Sequence, residues 1–341
     1  MSRFMTHEQC RRFGARPPLG VLRFEPIQKR LIWGGRRLAD LLGKRLGPGA
    51  DYAESWELSD HRDDISMVAE GPLAGTSLRQ LVEERALDLF GPSLANCRQF
   101  PLLVKFLDAN QTLSVQVHPD DEQGRLLAND NGKTEAWVVM HAEPGALIYA
   151  GLRADVGRDE FAKGLETGQV EPLLHRFEAR PGQCIFIPAG TVHAIGAGVV
   201  LAEIQQMSDA TFRVFDWGRE GPDGKPRKLH LDEALVATDF TRGPVSPIRP
   251  IVAHHPAGML ERLVRCPQFV LERLQLRDVG TVGTADRFTI VICLRGSAEV
   301  GPESSRTLLK FAETLLLPAD LGPCELRPAP SGCDLLLATV P

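Results

Sequence analysis

Between closely spaced glycines and prolines, the chain runs in short segments whose apolar residues alternate with polar ones, the period of a half-buried β-strand. Leu102–Leu107, Thr112–Val117, Ala136–Met140, Ala146–Tyr149, Cys184–Ile187, Val199–Gln205 and Thr211–Phe215 predict strands crowded into the middle of the chain. Two stretches have helical spacing instead. Thr76–Phe90 opens on a Thr76/Ser77 cap, carries Leu78, Leu81, Val82 and Leu87, and stops at Gly91-Pro92. The region from Asp155 to about Phe177 carries Phe161, Leu165, Leu173 and Leu174, with a break predicted near Gly168. Residues 239–256 hold four prolines and little periodicity, the mark of a linker. Beyond them Phe269–Leu276, Phe288–Leu294, Ala298–Val300 and Glu313–Leu317 predict a smaller second β unit. The chain thus divides into a leader (1–20), a first domain with helical insertions (21–240), a linker (241–256) and a second domain (257–341).

Composition narrows the partners. The 341 residues suit about two domains at roughly 150 residues each, and 43% hydrophobic with 24% charged residues is an ordinary globular balance. A net charge of −5 supplies no basic field for nucleic acid or an anionic membrane surface. Unbroken apolar stretches such as Val199–Ala202 and Leu335–Ala338 fall far short of the ~20 residues a membrane helix needs. The N-terminus carries Arg11, Arg12 and Arg16 without the hydrophobic run of a signal peptide. Seven cysteines (Cys10, Cys97, Cys184, Cys266, Cys293, Cys324, Cys333) are widely spaced with no C-x-x-C pair, which predicts free thiols in a reducing cytoplasm.

The same alternation sorts polar residues onto common faces. In TLSVQVHP (112–119), Leu113, Val115 and Val117 share one face and Ser114, Gln116 and His118 the other. In GKTEAWVVM (132–140), Lys133, Glu135 and Trp137 fall together. In PGQCIFIPAGTVHAIGAG (181–198), an apolar strand enters a Pro-Ala-Gly turn and a return strand carries His193 inward. Taken alone, each reads more readily as a solvated edge or a satisfied core histidine. Together, His118, Glu135 and His193 are two imidazoles and a carboxylate, a set suited to Zn²⁺, Mn²⁺ or Fe²⁺ with positions left open.

Gly182, Pro188, Gly190 and His193 match the second cupin motif, G-x5-P-x-G-x2-H, although Ala197 stands where the motif closes on asparagine. More specifically, SWELSDH (55–61), PLLVKFLDANQTLSVQVHPDDE (101–122), GKTEAW (132–137), PAGTVHAIG (188–196) and EIQQMSDATFRVFDWGR (203–219) resemble the type I mannose-6-phosphate isomerases in their short bacterial form. Trp33–Gly35 fits as well, and the resemblance covers about Arg23 to Asp239. It implies a mainly β fold of two cupin-like jelly-roll barrels, with a few helices inserted in the N-terminal part. It also implies one divalent metal ion, usually zinc, held by His118, Glu135 and His193, with Gln116 as a fourth ligand through its amide oxygen. The family's catalytic arginine would be Arg213, which alternation places on the face of Thr211 and Phe215 with Asp216 opposite.

The implied reaction is the reversible isomerisation of mannose 6-phosphate to fructose 6-phosphate, a proton passing between C2 and C1 through an enediol(ate). A metal Lewis acid and a fixed guanidinium stabilise the oxyanion that such a carbon acid develops. The proton carrier stays open between Lys133 and a water polarised by the metal, and Ser114 and Lys133 are the candidates for the phosphate. FAETLLLPADLGP repeats the hairpin when Pro318 is set on Pro188, with Ala312, Asp320 and Pro323 replacing Gly182, Gly190 and His193. This predicts a second barrel without a metal site. No coiled coil or long apolar face is visible, so a monomer is expected. The rivals are a cupin that binds sugar phosphates without turnover, an Fe²⁺ cupin oxygenase, and a metal-dependent isomerase of another sugar phosphate. Arg213 and Lys133 argue against the first. The Gln-x-His pair, with Glu135 17 residues beyond His118, argues against the other two.

Overall fold

The computed structural model describes residues 17–221, 224–303 and 305–341. Most of the expected leader, with Cys10, lies outside them. Its last residues are described: Leu19 is buried, and its backbone N–H donates to Asp320 Oδ2 at 2.9 Å.

The first unit contains β1 (Ile27–Gly35), β2 (Tyr52–Leu58), a short hairpin of β3 (Asp60–His61) and β4 (Asp64–Ile65), β5 (Leu102–Ala109), β6 (Val115–Val117), β7 (Glu135–Ala142), β8 (Leu147–Leu152), β9 (Leu174–Glu178), β10 (Cys184–Ile187), β11 (His193–Ile195), β12 (Val199–Gln206) and β13 (Phe212–Phe215). They form a six-stranded sheet in the order β1-β2-β5-β12-β7-β10 and a five-stranded sheet in the order β13-β6-β11-β8-β9. The two sheets face each other over an apolar floor that includes Leu107, Trp137, Ile148, Ile185, Ile195 and Leu201. The middle strands β5 and β12 are buried almost throughout, which is why they read as near-continuous apolar runs.

The predicted helix at 76–90 is present as Leu78–Phe90. Its Ser77 cap accepts from the Gln80 N–H and Gln80 reaches back, a complete capping box. The second helical prediction is corrected. A helix spans Arg158–Thr167 and ends on left-handed Gly168 (φ +69°), but Leu174–Glu178 is a strand laddered to β8. There the leucine spacing that suggested a helix yields to sheet pairing.

The second unit contains β14 (Ile251–His255), β15 (Gly258–Arg265), β16 (Val270–Leu276), β17 (Gly280–Val282), β18 (Thr289–Val300), β19 (Thr307–Lys310), β20 (Thr314–Leu317) and β21 (Cys324–Thr339), all in one sheet. Residues 251–255, inside the proline-rich stretch expected to be linker, form an edge strand paired with β15. Phe288–Leu294 and Ala298–Val300, expected as separate strands, are one 12-residue strand with register shifts between Cys293 and Arg295 and between Gly296 and Ala298. The internal repeat survives in the backbone: Ala312 has φ +58° where Gly182 has φ +86°, each opening the strand before the Pro turn.

Both units are mainly β, as the expected pair of cupin-like barrels requires, and the long helices lie in the first. The outer face of the six-stranded sheet (Leu102, Val104, Phe106, Ala202, Ile204) shares one apolar cluster with Leu271, Phe288, Ile290 and Leu336 of the second unit. Phe90, Phe100 and Phe288 close it with ring centroids 4.8 to 5.9 Å apart.

Candidate metal centre

His118 follows β6, Glu135 opens β7 and His193 opens β11, so three segments far apart in sequence converge between the two sheets. Their ligand atoms lie within 4.8 Å of one another, and each residue is 1% exposed. The hairpin before His193 explains its placement. After Pro188, Gly190 turns with φ +85°, and its N–H donates to the His118 backbone carbonyl at 2.8 Å, which ties the two histidine segments together.

Both imidazoles are oriented by main chain. His118 Nδ1 is 2.9 Å from the Ala210 carbonyl and His193 Nδ1 is 2.9 Å from the Thr191 carbonyl. A proton on each Nδ1 leaves the Nε2 lone pair turned inward, the usual outer support of a metal-binding histidine. The Nε2 atoms stand 3.5 Å (His118) and 3.3 Å (His193) from the Glu135 carboxylate. Burial pushes both imidazoles below their ordinary range, His118 with further help from the Lys133 ammonium and His193 to about 4. They are therefore neutral at pH 7, the ligand-competent form. Burial raises the Glu135 carboxyl. Gln116 places its amide 3.3 Å from His193 Nε2, and a half-turn of that amide presents the oxygen to the same point. The donor set thus fits a divalent cation of the kind imidazole and carboxylate ligands select.

Lys133 and Arg213 border this set. Lys133 Nζ is 2.8 Å from His118 Nε2, forms an ion pair with Glu135, and lies 3.8 Å from Glu203 Oε1. Its ammonium is turned into the donor set, whereas Ser114 Oγ stands beside the Gln116 amide oxygen at 3.4 Å. Arg213 pairs with Gln116 in the β13–β6 ladder, and Gln116 pairs with His193 in the β6–β11 ladder. The three share one row of the five-stranded sheet and one face of it. Arg213 donates from Nη1 to the Lys228 carbonyl at 3.0 Å, while its buried Nε has no hydrogen-bond partner among the described residues. The expectation that Phe215 shares the Arg213 face is corrected. A register shift after Arg213 sets Phe215 opposite Val115, in the apolar cluster on the outer side of the sheet. Asp216 holds Arg219 and Arg227.

Sequence reasoning missed Lys105 and Glu203. Both lie inside predicted strands, and a charge within an otherwise apolar strand was the available signal. They form an ion pair at 3.2 Å, with Lys105 4% and Glu203 3% exposed. Burial opposes both charges. For Lys105, Glu203 and Glu54 outweigh it and keep the amine protonated; for Glu203, Lys105 and Lys133 outweigh it and hold the carboxyl below its ordinary value.

A donor set that fits a divalent cation, flanked by a guanidinium and an ammonium, can polarise a substrate oxygen and move a proton beside it. Comparisons with known proteins agree on one chemistry. The family model "Phosphomannose isomerase type I, catalytic domain" matches residues 21–137. Mannose-6-phosphate isomerase ManA of Bacillus subtilis is 34% identical over 89% of this chain and 95% of its own. Mannose-6-phosphate isomerase of Streptococcus mutans is 33% identical over 84% of this chain and 89% of its own. The crystal structure of the mannose 6-phosphate isomerase from Bacillus subtilis superposes with a TM-score of 0.85 at 30% identity, covering 94% of this chain and 99% of that one.

Proposed function

Because the chain belongs to the type I mannose-6-phosphate isomerases, we infer that it interconverts mannose 6-phosphate and fructose 6-phosphate, an aldose–ketose isomerisation. The observation that carries the reading is the convergence of His118, Glu135 and His193 within 4.8 Å, with Gln116 and Arg213 in the adjoining row. Those three residues and the Gln116 amide would hold the metal, and zinc suits two neutral imidazoles, a carboxylate and an amide oxygen. When bound, the ion supplies Lewis-acid polarisation of the substrate's carbonyl and hydroxyl oxygens.

The chain's own groups do the rest. Arg213 stays charged at any working pH, and its Nε–H, without a partner among the described residues, is our candidate donor to the oxyanion that develops as a C–H proton leaves. Lys133 Nζ, held among Glu135, His118 and Glu203, is placed to carry the proton between C2 and C1. Lys133 was also a candidate for the phosphate. Its engagement inside the donor set favours proton handling, and the Ser114 hydroxyl remains our candidate for the phosphate. The near-complete burial of the donor set keeps bulk water from the enediol(ate). The six described cysteines are free thiols, which supports a cytoplasmic enzyme. Among the described residues no helix is long and apolar enough to cross a membrane. We further propose that the enzyme works as a monomer.

The test is fructose 6-phosphate formation from mannose 6-phosphate by purified protein, before and after chelation and with Zn²⁺ returned. Activity lost to the chelator and restored by zinc is expected. No turnover by folded, zinc-loaded protein would overturn the reading in favour of a cupin that only binds sugar phosphates.

A further inference from the structure

Across the six-stranded sheet, Trp56 on β2, Lys105 on β5, Glu203 on β12 and Trp137 on β7 stand opposite one another in one continuous row. An ammonium in the middle of an apolar strand is costly to bury unless it is paired. Lys105 Nζ has two carboxylate partners, Glu203 Oε1 at 3.2 Å and Glu54 Oε2 at 3.5 Å. Glu54 is itself fixed by the Trp56 indole N–H at 2.6 Å. Glu203 carries the chain of contacts on to the metal centre. Its Oε2 accepts the Trp137 indole N–H at 3.1 Å, and its Oε1 also faces Lys133 Nζ at 3.8 Å. The Trp137 ring in turn meets the His193 ring nearly edge-on, with centroids 5.3 Å apart.

Resting on the isomerase reading above, we propose that Lys105 is a positioning residue for the reaction. It holds Glu203 in place, and Glu203 sets where the Lys133 ammonium and the Trp137 ring stand against the metal ligands. Without the Lys105 charge, Glu203 keeps Lys133 as its nearest ammonium and draws it away from Glu135. A misplacement of about 1 Å at the reacting groups costs on the order of 100-fold in rate.

The experiment compares Lys105→Met, Lys105→Arg, Glu203→Gln and the double variant Lys105→Met/Glu203→Gln in the zinc-loaded enzyme. Lys105→Met is expected to lower kcat about 100-fold while leaving KM for mannose 6-phosphate nearly unchanged, the pattern of a lost transition-state arrangement. Lys105→Arg keeps the cation and recovers most of kcat. The double variant is no slower than the slower of its two singles, because the two residues act as one unit. A readout independent of turnover is the Trp137 indole ¹⁵N–H resonance, identified with Trp137→Phe. It should move in Lys105→Met and return toward its wild-type position in Lys105→Arg.

A rise in KM with kcat preserved would overturn the proposal, since Lys105 would then grip substrate directly. An unchanged kcat, or an indole resonance that does not move, would overturn it as well. If Lys105→Met does not fold, Glu54→Gln loosens the far end of the same chain and must shift kcat and the resonance in the same direction. If the wild-type enzyme does not turn over mannose 6-phosphate, the functional reading falls, while the resonance still decides whether Lys105 governs Trp137.

Discussion

Arg213 stands directly across from Gln116 in the ladder between β13 and β6. Gln116 faces His193 on its other side, so a permanent cation and two candidate ligands occupy one row on one wall of the barrel. Sheet register therefore sets the backbone of Arg213, and the Lys228 carbonyl holds its guanidinium.

Replacing Arg213 with Ala should lower kcat about 100- to 1,000-fold, the range for loss of one preorganised oxyanion donor. Metal content should stay at the wild-type level. Parallel assays of fructose 6-phosphate formation and bound metal check this, and a variant that also lost its metal would show that Arg213 holds the ligands rather than the oxyanion.

His193→Ala and Glu135→Gln should each bind zinc more weakly and lose activity that added zinc does not restore at the concentration sufficient for chelated wild type. Elemental analysis after dialysis measures the first effect. Full zinc occupancy in both variants would place the ion elsewhere.

Gly190 turns the hairpin with φ +85°, and a Cβ there would lie 2.9 Å from Asp239 Cβ and 3.1 Å from the Ala237 carbonyl oxygen. Gly190→Ala should destabilise the protein by about 2 kcal/mol, combining left-handed strain with the clash. It should also weaken zinc binding, because the turn positions His193. Thermal melting and zinc titration read the two effects separately.

The Asp320 carboxyl is pushed up to about 6, chiefly by burial. Between the ordinary aspartate range and pH 6 the folded state binds the proton more tightly than the unfolded chain, so this group's contribution falls as pH rises through that window. Asp320→Asn should raise stability by about 1 kcal/mol at pH 8, a figure reduced for its partial exposure, and by little at pH 4. Melts at the two pH values check the sign.

The candidate metal centre stood out because His118, Glu135 and His193 sit inside distinctive motifs, and alternation alone put Ser114, Gln116 and His118 on one face. The strands of the first barrel were legible for the same reason. Other features depend on pairing between distant segments. Leu174 reads as helical from its neighbours and becomes a strand only against β8. Phe215 changes face through a register shift that no local pattern announces. Ile251–His255 follows a proline-rich run and becomes a strand only because β15 accepts it. Lys105 and Glu203 look anomalous singly and make sense only when folding sets them opposite each other.

The apolar cluster shared between the barrels ties the unit that holds His118, Glu135 and His193 to one that contributes none of those three residues. Cutting the chain in the stretch before Ile251 would leave Leu102, Val104, Phe106 and Ile204 on a bare sheet face, an area of the kind that drives aggregation. The halves are therefore not interchangeable modules. Calorimetry of the intact protein should record one cooperative transition, and a cavity cut into the second barrel at Phe288 should lower the melting temperature of the catalytic half along with its own.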